Sequence, residues 1–299
     1  MSAAGPTRVR IREVGPRDGL QVEAPVGIEA RVALVEALVA SGLREVEAVA
    51  FVSPAAVPAM AGAAEVMSAL PRRPEVRYVA LVPNLRGAQL AVEAGVDALS
   101  VTVSASQEYN RRNVRMSIDE SVAQVTSIAG TVGDVPIDVV VSCAFGSPYE
   151  GDLAPAAVAG LGDQVLAAGA TSLTYADTTG MATPRRIGEL LDEVGVDIGL
   201  HLHETRGTGL VNAFAAWERG VARFDTSVGG LGGSPFAAGS AGNLATEDLV
   251  HLLDDLGVET GVDLDQLLAA SALAARTVGH DVPSRVAAAG PRSRVADTQ

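Results

Sequence analysis

The chain has 299 residues, of which 48% are hydrophobic, so it can bury a core large enough for one big α/β domain. Its net charge of −14 disfavours binding to nucleic acid or to an anionic membrane surface, and no apolar run is long enough to predict a membrane span. The single cysteine excludes an internal disulfide, and the first residues lack the apolar segment of a signal peptide, so we expect a cytoplasmic protein.

All 22 basic residues are arginine. No lysine is therefore available for a Schiff base, for a pyridoxal phosphate cofactor or for a phosphate-binding P-loop. A carbanion formed by this protein has to be stabilised in another way, and a metal ion is the means that we expect.

Short β-branched segments alternate with longer amphipathic segments along the chain. Eight strands are predicted, at residues 9–14, 45–51, 76–82, 98–104, 137–145, 172–177, 197–203 and 223–228. Strand–helix units that repeat about every thirty residues favour a (β/α)8 TIM barrel over the alternative, a doubly wound open sheet. We expect one catalytic barrel domain over residues 1–282 and a flexible tail over residues 283–299.

Polar residues cluster at the positions where such a barrel carries its active site, which are the C-terminal ends of the strands and the loops that follow them. These residues are Arg17, Asp18, Glu47, Asn84, Ser104, Ser106, Asp177, His201 and His203. A loop over residues 228–243 that contains six glycines follows the last predicted strand. Glycines allow the backbone of a loop to fold tightly and to approach a ligand closely.

His201 and His203 give the strongest local signal for a metal. Residues two apart in a strand point to the same face, so both imidazoles could bind one ion. The alternative is two separate histidines that form ordinary hydrogen bonds. Asp18 and Asn243 are candidates for the remaining ligands. Because no pair of cysteines is available, mixed oxygen and nitrogen ligands favour Mg²⁺ or Mn²⁺ over Zn²⁺ or Co²⁺.

Arg17 and Asp18 are adjacent in the segment GPRDGLQ. Arg17 could hold negative charge that develops on a substrate oxygen, although a simple surface turn is the alternative. Glu47 is an acid in an apolar strand and is expected to pair with Arg17, either within the site or as a structural ion pair. A metal, an arginine and no lysine suggest that a carbon–carbon bond next to a carbonyl is cleaved or formed through an enolate.

Several long motifs carry a resemblance to a known family. The segments EVGPRDGLQ, PNLRG, VSCAFGSPYEG, HLHET and GLGGSPFAAGSAGNLATEDLV resemble the 3-hydroxy-3-methylglutaryl-CoA (HMG-CoA) lyase family of the DRE-TIM metallolyases, in order from about residue 9 to residue 288. The resemblance implies a metal-dependent barrel that cleaves a 3-hydroxyacyl-CoA by a retro-aldol step into acetyl-CoA and a keto acid. It also implies a homodimer.

The resemblance assigns roles to the matching positions. Four residues would bind Mg²⁺ or Mn²⁺, namely Asp18, His201, His203 and Asn243. Arg17 would stabilise the thioester enolate, and Glu47 would orient Arg17. Asp177 would assist proton transfer near the substrate hydroxyl, and His201 could also relay a proton. Arg111 and Arg112 could meet the phosphates of CoA.

The chain departs from the family pattern at the glycine-rich loop, where the catalytic cysteine is replaced by Ser234. A thiol has a pKa of about 8.5 and exchanges protons near neutral pH, whereas an alkyl hydroxyl is far less acidic. Arg206 also stands where the family usually has tyrosine. Two alternatives therefore remain beside the lyase: a metal-dependent aldolase for a CoA-free hydroxy acid, and a very slow relative that binds acyl-CoA.

Overall fold

The computed structural model describes residues 5–233 and 242–292. Eight strands form one closed barrel in chain order, and every neighbouring pair is parallel. The strands are Arg10–Glu13 (β1), Glu45–Ala50 (β2), Arg77–Leu81 (β3), Ala98–Ser104 (β4), Ile137–Ser142 (β5), Ser172–Ala176 (β6), Gly199–His201 (β7) and Arg223–Thr226 (β8). The barrel closes where β1 pairs with β8. The predicted (β/α)8 TIM barrel and its eight strands are confirmed.

Helices connect the strands of the barrel. Within the described residues they are Ile28–Ala40 (α1), Ala63–Ala69 (α2), Leu85–Glu93 (α3), Gln107–Val114 (α4), Ile118–Val132 (α5), Pro155–Ala167 (α6), Pro184–Val194 (α7), Gly209–Glu218 (α8), Thr246–Asp255 (α9), Leu264–Val278 (α10) and Arg285–Ala289 (α11). Six of these eleven helices begin at a residue whose side chain caps the first turn. Ser117, for example, accepts a hydrogen bond from the Glu120 backbone while the Glu120 side chain bonds back, which forms a capping box. None of these helices is long and apolar enough to cross a membrane.

One continuous apolar cluster joins the strands to the surrounding helices. Leu34 and Leu38 of α1, Val46 of β2 and Val139 of β5 are fully buried members of it. The sequence dictates this cluster, because the strands are rich in Val, Leu and Ala while the helices present their apolar faces to them. The cluster is the rigid scaffold that positions the loops at the barrel ends.

The barrel interior contains a charged layer. Arg12 of β1 donates from Nη1 to Asp138 Oδ2 of β5 over 2.9 Å. Because β1 and β5 are not neighbours in the barrel, this bond crosses the interior. Arg12 also donates to both carboxylate oxygens of Asp225 in β8, over 2.9 and 2.6 Å.

Strand β7 is shorter than the sequence predicts, because its ladder ends at His201 rather than at residue 203. Beyond it the chain pairs with the segment that returns from the glycine-rich loop. The Leu244 backbone N–H donates to the Leu202 carbonyl over 2.9 Å, and His203 forms an antiparallel bridge with Asn243. This pairing brings Asn243 beside the two histidines.

The segment that follows residue 282 includes helix α11. Ser284 caps this helix and donates from its hydroxyl to Asp248 Oδ1 over 2.8 Å. Its backbone N–H donates to the Gly229 carbonyl over 2.9 Å. The first part of the predicted tail is therefore hydrogen-bonded to α9 and to the start of the glycine-rich loop, and residues 293–299 lie outside the described part.

Candidate active site and metal centre

Arg17 and Asp18 lie on a π-helical turn, Gly15–Gly19, which follows β1. The backbone N–H groups of Arg17, Asp18 and Gly19 all approach the Val14 carbonyl, at 3.1, 2.7 and 3.3 Å. Single π-helical turns are rare and occur frequently at functional sites. The turn buries both side chains at the C-terminal end of the barrel, so the alternative of an exposed surface turn does not hold.

Asp18, His201 and His203 form a buried cluster whose candidate ligand atoms all lie within 4.8 Å of one another. The Nε2 atoms of the two histidines are 3.3 Å apart. The structure thus brings the predicted histidine pair together with Asp18, although His203 lies two residues beyond the end of β7. A carboxylate and two imidazoles are donors that suit a divalent cation.

Asn243 completes this group. Its Nδ2 donates to Asp18 Oδ2 over 2.7 Å and to the Leu231 carbonyl over 2.8 Å. Its Oδ1 is buried and has no hydrogen-bond partner among the described residues. A buried acceptor without a partner is costly, and a cation bound at this cluster would satisfy it. The residues present therefore fit a divalent metal.

Asp18 is held ionised by its surroundings. Arg17 Nη1 donates to Asp18 Oδ1 over 2.5 Å, and Gln21 Nε2 donates to the same oxygen over 2.9 Å. Burial alone would raise the pKa of Asp18, but the charges of Arg17 and His201 and the bond from Asn243 outweigh it and lower the pKa. An ionised carboxylate is the form that binds a cation.

Glu47 pairs with Arg17, as the sequence predicted. The Nε and Nη2 atoms of Arg17 each lie 2.5 Å from Glu47 Oε2. Burial would lower the pKa of Arg17, but the charges of Glu47 and Asp18 outweigh it and raise the pKa. The guanidinium is therefore a fixed positive charge between two carboxylates, beside the metal cluster.

Asp177 directly follows β6. Its Oδ1 accepts from the backbone N–H groups of Met181 and Ala182 over 2.7 and 3.0 Å, while Oδ2 is buried without a partner in the described ranges. Burial raises the pKa of Asp177 to about 7, although these hydrogen bonds oppose the shift. A carboxyl group with such a pKa can exchange protons near neutral pH.

Sequence reasoning missed Asp225, which contacts the candidate ligand His201. Its Oδ2 lies 3.4 Å from His201 Nδ1. Burial would lower the pKa of His201, but the hydrogen bond and charge of Asp225, together with the charge of Asp18, raise it. The available signal was an acidic residue inside the buried strand segment RFDTSV, the same signal that identified Glu47.

Other predicted residues have structural partners of their own. Asn84 and Ser106 cap α3 and α4. Arg111 and Arg112 are on α4, where Arg112 donates to Glu108 over 2.7 Å and its guanidinium carbon lies 4.4 Å from the centre of the Tyr149 ring. These contacts leave the CoA-binding role of the two arginines as a prediction.

Ser234 and Cys143 bear on the absence of the family's catalytic cysteine from the glycine-rich loop. Ser234 lies outside the described residues. Cys143 directly follows β5, has a φ of 56° and is buried, and this burial raises the pKa of its thiol to about 12. A thiol with that pKa stays protonated at neutral pH, so Cys143 does not supply the thiol that Ser234 lacks.

Arg206 donates hydrogen bonds to backbone carbonyl groups of a neighbouring loop. Its Nη1 donates to the carbonyl oxygens of Thr179 and Gly180 over 2.7 and 2.8 Å. Glu204, two residues before Arg206, pairs with Arg285 over 3.1 Å. Arg206 therefore joins the loop after β7 to the loop after β6, which carries Asp177.

The fold and the cluster together define a (β/α)8 barrel with a candidate metal centre at the C-terminal end of its strands. Residues 8–274 match the family model described as HMGL-like, so the chain belongs to that family. This confirms the resemblance on which the site residues were assigned.

Similar proteins share nearly the whole chain. An (R)-citramalyl-CoA lyase from Chloroflexus aurantiacus is 41% identical over 95% of each chain. A mitochondrial hydroxymethylglutaryl-CoA lyase from Gallus gallus is 39% identical over 97% of this chain and 100% of its own. A solved structure of an HMG-CoA lyase from Acenitobacter baumannii, in complex with coenzyme A and 3-methylmalate, superposes with a TM-score of 0.93 at 39% identity, over 98% of both chains. The protein is a carbon–carbon lyase of this family.

Proposed function

We propose that the protein cleaves a 3-hydroxyacyl-CoA, such as HMG-CoA or citramalyl-CoA, into acetyl-CoA and a keto acid. The observation that carries this proposal is the buried Asp18–His201–His203 cluster beside Arg17. With Asn243, the cluster would hold Mg²⁺ or Mn²⁺. The bound ion would supply positive charge that polarises oxygen atoms of the substrate.

The reaction breaks the bond between the α-carbon of the thioester and the carbon that bears the hydroxyl. The hydroxyl loses its proton and its carbon becomes a ketone, while the bonding electron pair passes to the thioester as an enolate. The enolate carbon then takes up a proton and becomes the methyl group of acetyl-CoA.

Residues of this chain provide the groups that these steps require. Arg17, fixed by Glu47, stabilises the negative charge on the enolate oxygen. Asp177 accepts the hydroxyl proton, for which its pKa of about 7 is suited. Ser234 stands at the family's acid position and would deliver a proton to the enolate directly or through water. Arg111 and Arg112 would bind CoA phosphates, and we expect a homodimer.

The test is release of acetyl-CoA from HMG-CoA and from (R)-citramalyl-CoA in the presence of Mn²⁺ or Mg²⁺. We expect turnover of at least one thioester and its loss with a chelator. Ser234→Cys, assayed beside the wild type, shows whether the hydroxyl limits the rate. If neither protein cleaves a thioester but the wild type cleaves a CoA-free hydroxy acid, the proposal is wrong and the aldolase alternative holds.

A further inference from the structure

Three charged residues, Arg12, Asp138 and Asp225, pair inside the barrel next to the candidate ligand His201. His201 of β7 is in register with Asp225 of β8, and Asp225 is in register with Arg12 of β1. Asp138 faces them from β5 on the opposite side of the interior. Arg12, Asp138 and Asp225 are each at most 7% exposed. Charges buried this deeply must be paired, and a buried ion pair often stabilises a fold no more than apolar residues of similar volume would. Stability alone therefore does not explain this group.

The two ring nitrogens of His201 face different partners. Nδ1 lies 3.4 Å from Asp225 Oδ2, and Nε2 lies 3.3 Å from His203 Nε2 within the ligand cluster. A hydrogen bond from Nδ1–H to a carboxylate fixes the tautomer in which Nε2 carries the free lone pair. Metal-binding histidines commonly donate their second N–H to a carboxylate in this way.

Arg12 immobilises the Asp225 carboxylate. Its Nε and Nη2 donate to Oδ1 and Oδ2, so the guanidinium binds both carboxylate oxygens in the bidentate geometry that is favoured between arginine and a carboxylate. Asp138 holds Arg12 from the other side, and Thr174 and Ser172 donate to Asp138 over 2.8 and 2.5 Å. The position of Asp225 is therefore set by the barrel and not by solvent.

We propose that Asp225 is a positioning residue that orients the His201 ring for metal binding, and that Arg12 holds Asp225 in place for this task. The inference rests on the proposed metal site. Asp225 and Asp138 both pair with the Arg12 guanidinium, but within this group Asp225 also contacts the candidate ligand His201. Asp138 thus provides a matched control within the same network.

The test compares Asp225→Asn with Asp138→Asn by calorimetric titration of Mn²⁺ into the purified proteins, with their unfolding temperatures recorded in parallel. Each substitution removes one negative charge next to Arg12, so both are expected to lower the unfolding temperature. Asp225→Asn is expected to weaken Mn²⁺ binding roughly 10–100-fold, whereas Asp138→Asn stays within about threefold of the wild type.

The outcomes separate this inference from the proposed function. If Mn²⁺ binding is weakened equally in both variants, or is unchanged in Asp225→Asn, the positioning role of Asp225 is wrong while the proposed metal site still stands. A wild-type protein that does not bind Mn²⁺ would overturn the proposed metal function and, with it, this inference.

A second measurement does not depend on whether Asp225→Asn folds. Nitrogen-15 NMR of the wild-type imidazoles, recorded without metal and above the pH at which His201 titrates, reports which nitrogen carries the proton. We expect His201 to carry it on Nδ1. A spectrum that shows His201 protonated on Nε2 contradicts the proposed hydrogen bond to Asp225.

Discussion

The Nε2 atoms of His201 and His203 approach to 3.3 Å beside the Asp18 carboxylate. Two imidazole nitrogens at this distance cannot both be protonated without repulsion, whereas a cation between them is attracted by both lone pairs and by Asp18. At the scale of the residue, this arrangement is therefore better suited to a bound ion than to two protons.

Replacement of one of the two histidines tests directly whether they bind a metal ion. Loss of a residue that only hydrogen-bonds a metal ligand weakens metal binding roughly 10–100-fold. His203→Gln removes a candidate ligand itself, so we expect it to weaken Mn²⁺ binding by more than this. Calorimetric titration measures the affinity. His251→Gln, on α9 and outside the cluster, is the control and should bind Mn²⁺ like the wild type. Equal affinities in the two variants would exclude His203 as a ligand.

Asp177 allows an isosteric test of proton transfer. In Asp177→Asn the amide oxygen can still accept from the Met181 and Ala182 backbone, so we expect a folded protein with a similar unfolding temperature. Loss of the base should lower kcat about 10²–10⁴-fold. The wild type should lose activity as pH falls below about 7, because protonation removes the base, and a bound cation would move this midpoint lower. Activity of Asp177→Asn close to wild type would refute the assignment.

At the scale of the element, Glu13 joins three segments that surround the site. Its Oε1 accepts from the Gly15 N–H at the start of the π-helical turn and from the Val228 N–H at the start of the glycine-rich loop, over 2.7 and 2.8 Å. Its Oε2 contacts the Thr246 hydroxyl of α9 over 2.6 Å. Burial raises the pKa of Glu13 from 4.5 to about 8, against these hydrogen bonds.

This raised pKa makes stability depend on pH with a defined sign. The folded state favours the neutral acid, so its stabilising effect is fully present below the unfolded pKa of 4.5 and is lost as pH rises through about 8. Within this window the free energy of unfolding should fall by up to about 1.4 kcal/mol per pH unit for this group. Glu247, whose pKa burial raises to about 7, adds a decline of the same sign.

Glu13→Gln should flatten that decline. Glutamine keeps an oxygen for the two backbone N–H groups and an N–H to donate to Thr246, but it does not ionise. Denaturant unfolding at a series of pH values measures the slope. The exposed Glu93→Gln is the control and should keep the wild-type slope. A Glu13→Gln protein with an unchanged slope would show that this carboxyl does not titrate in the window.

Sequence periodicity predicted the strands well because their β-branched runs and the glycines after the helices are local signals. The end of β7 was not predicted, since Leu202 and His203 leave the ladder to pair with Leu244 and Asn243, some forty residues further along the chain. The π-helical turn after β1 was also missed, because its hydrogen bonds involve distant segments: Glu13 Oε1 accepts both from Gly15 in the turn and from Val228.

The residues of the candidate site, too, could be predicted only where a local sequence signal was sufficient. His201, His203 and Asp18 could be predicted because residue type and position at a strand end suffice to identify them. Asp225 carries the same local signal as Glu47, an acid in an apolar strand, but the roles of Asp225 and Arg12 emerge only when the closed barrel places β1, β8 and β7 side by side. Their partners are set by strand order, which no short stretch of sequence carries.

At the scale of the whole molecule, the C-terminal segment packs against the end of the barrel that carries the site. Asp248 of α9 accepts from the Ser284 hydroxyl and from the Val286 N–H, over 2.8 and 2.9 Å. Ser284 is buried, and Val282 lies so close to Gly229 that a Cβ at Gly229 would meet its side chain at 2.6 Å. The segment thus covers the backbone from which the glycine-rich loop departs.

Two deletions locate the end of the folded domain, which the sequence predicts at residue 282. Removal of residues 280–299 should lower the unfolding temperature by several degrees, because it leaves Asp248 without the Ser284 and Val286 donors and uncovers Gly229. At this chain length each 1 kcal/mol corresponds to roughly 1.5–2 °C. Removal of residues 293–299 alone should leave the unfolding temperature within about 1 °C of the wild type, since it spares every one of these contacts. Equal unfolding temperatures for the two deletions would mean that the contacts of Ser284 and Val286 contribute nothing, and that the barrel is complete before them.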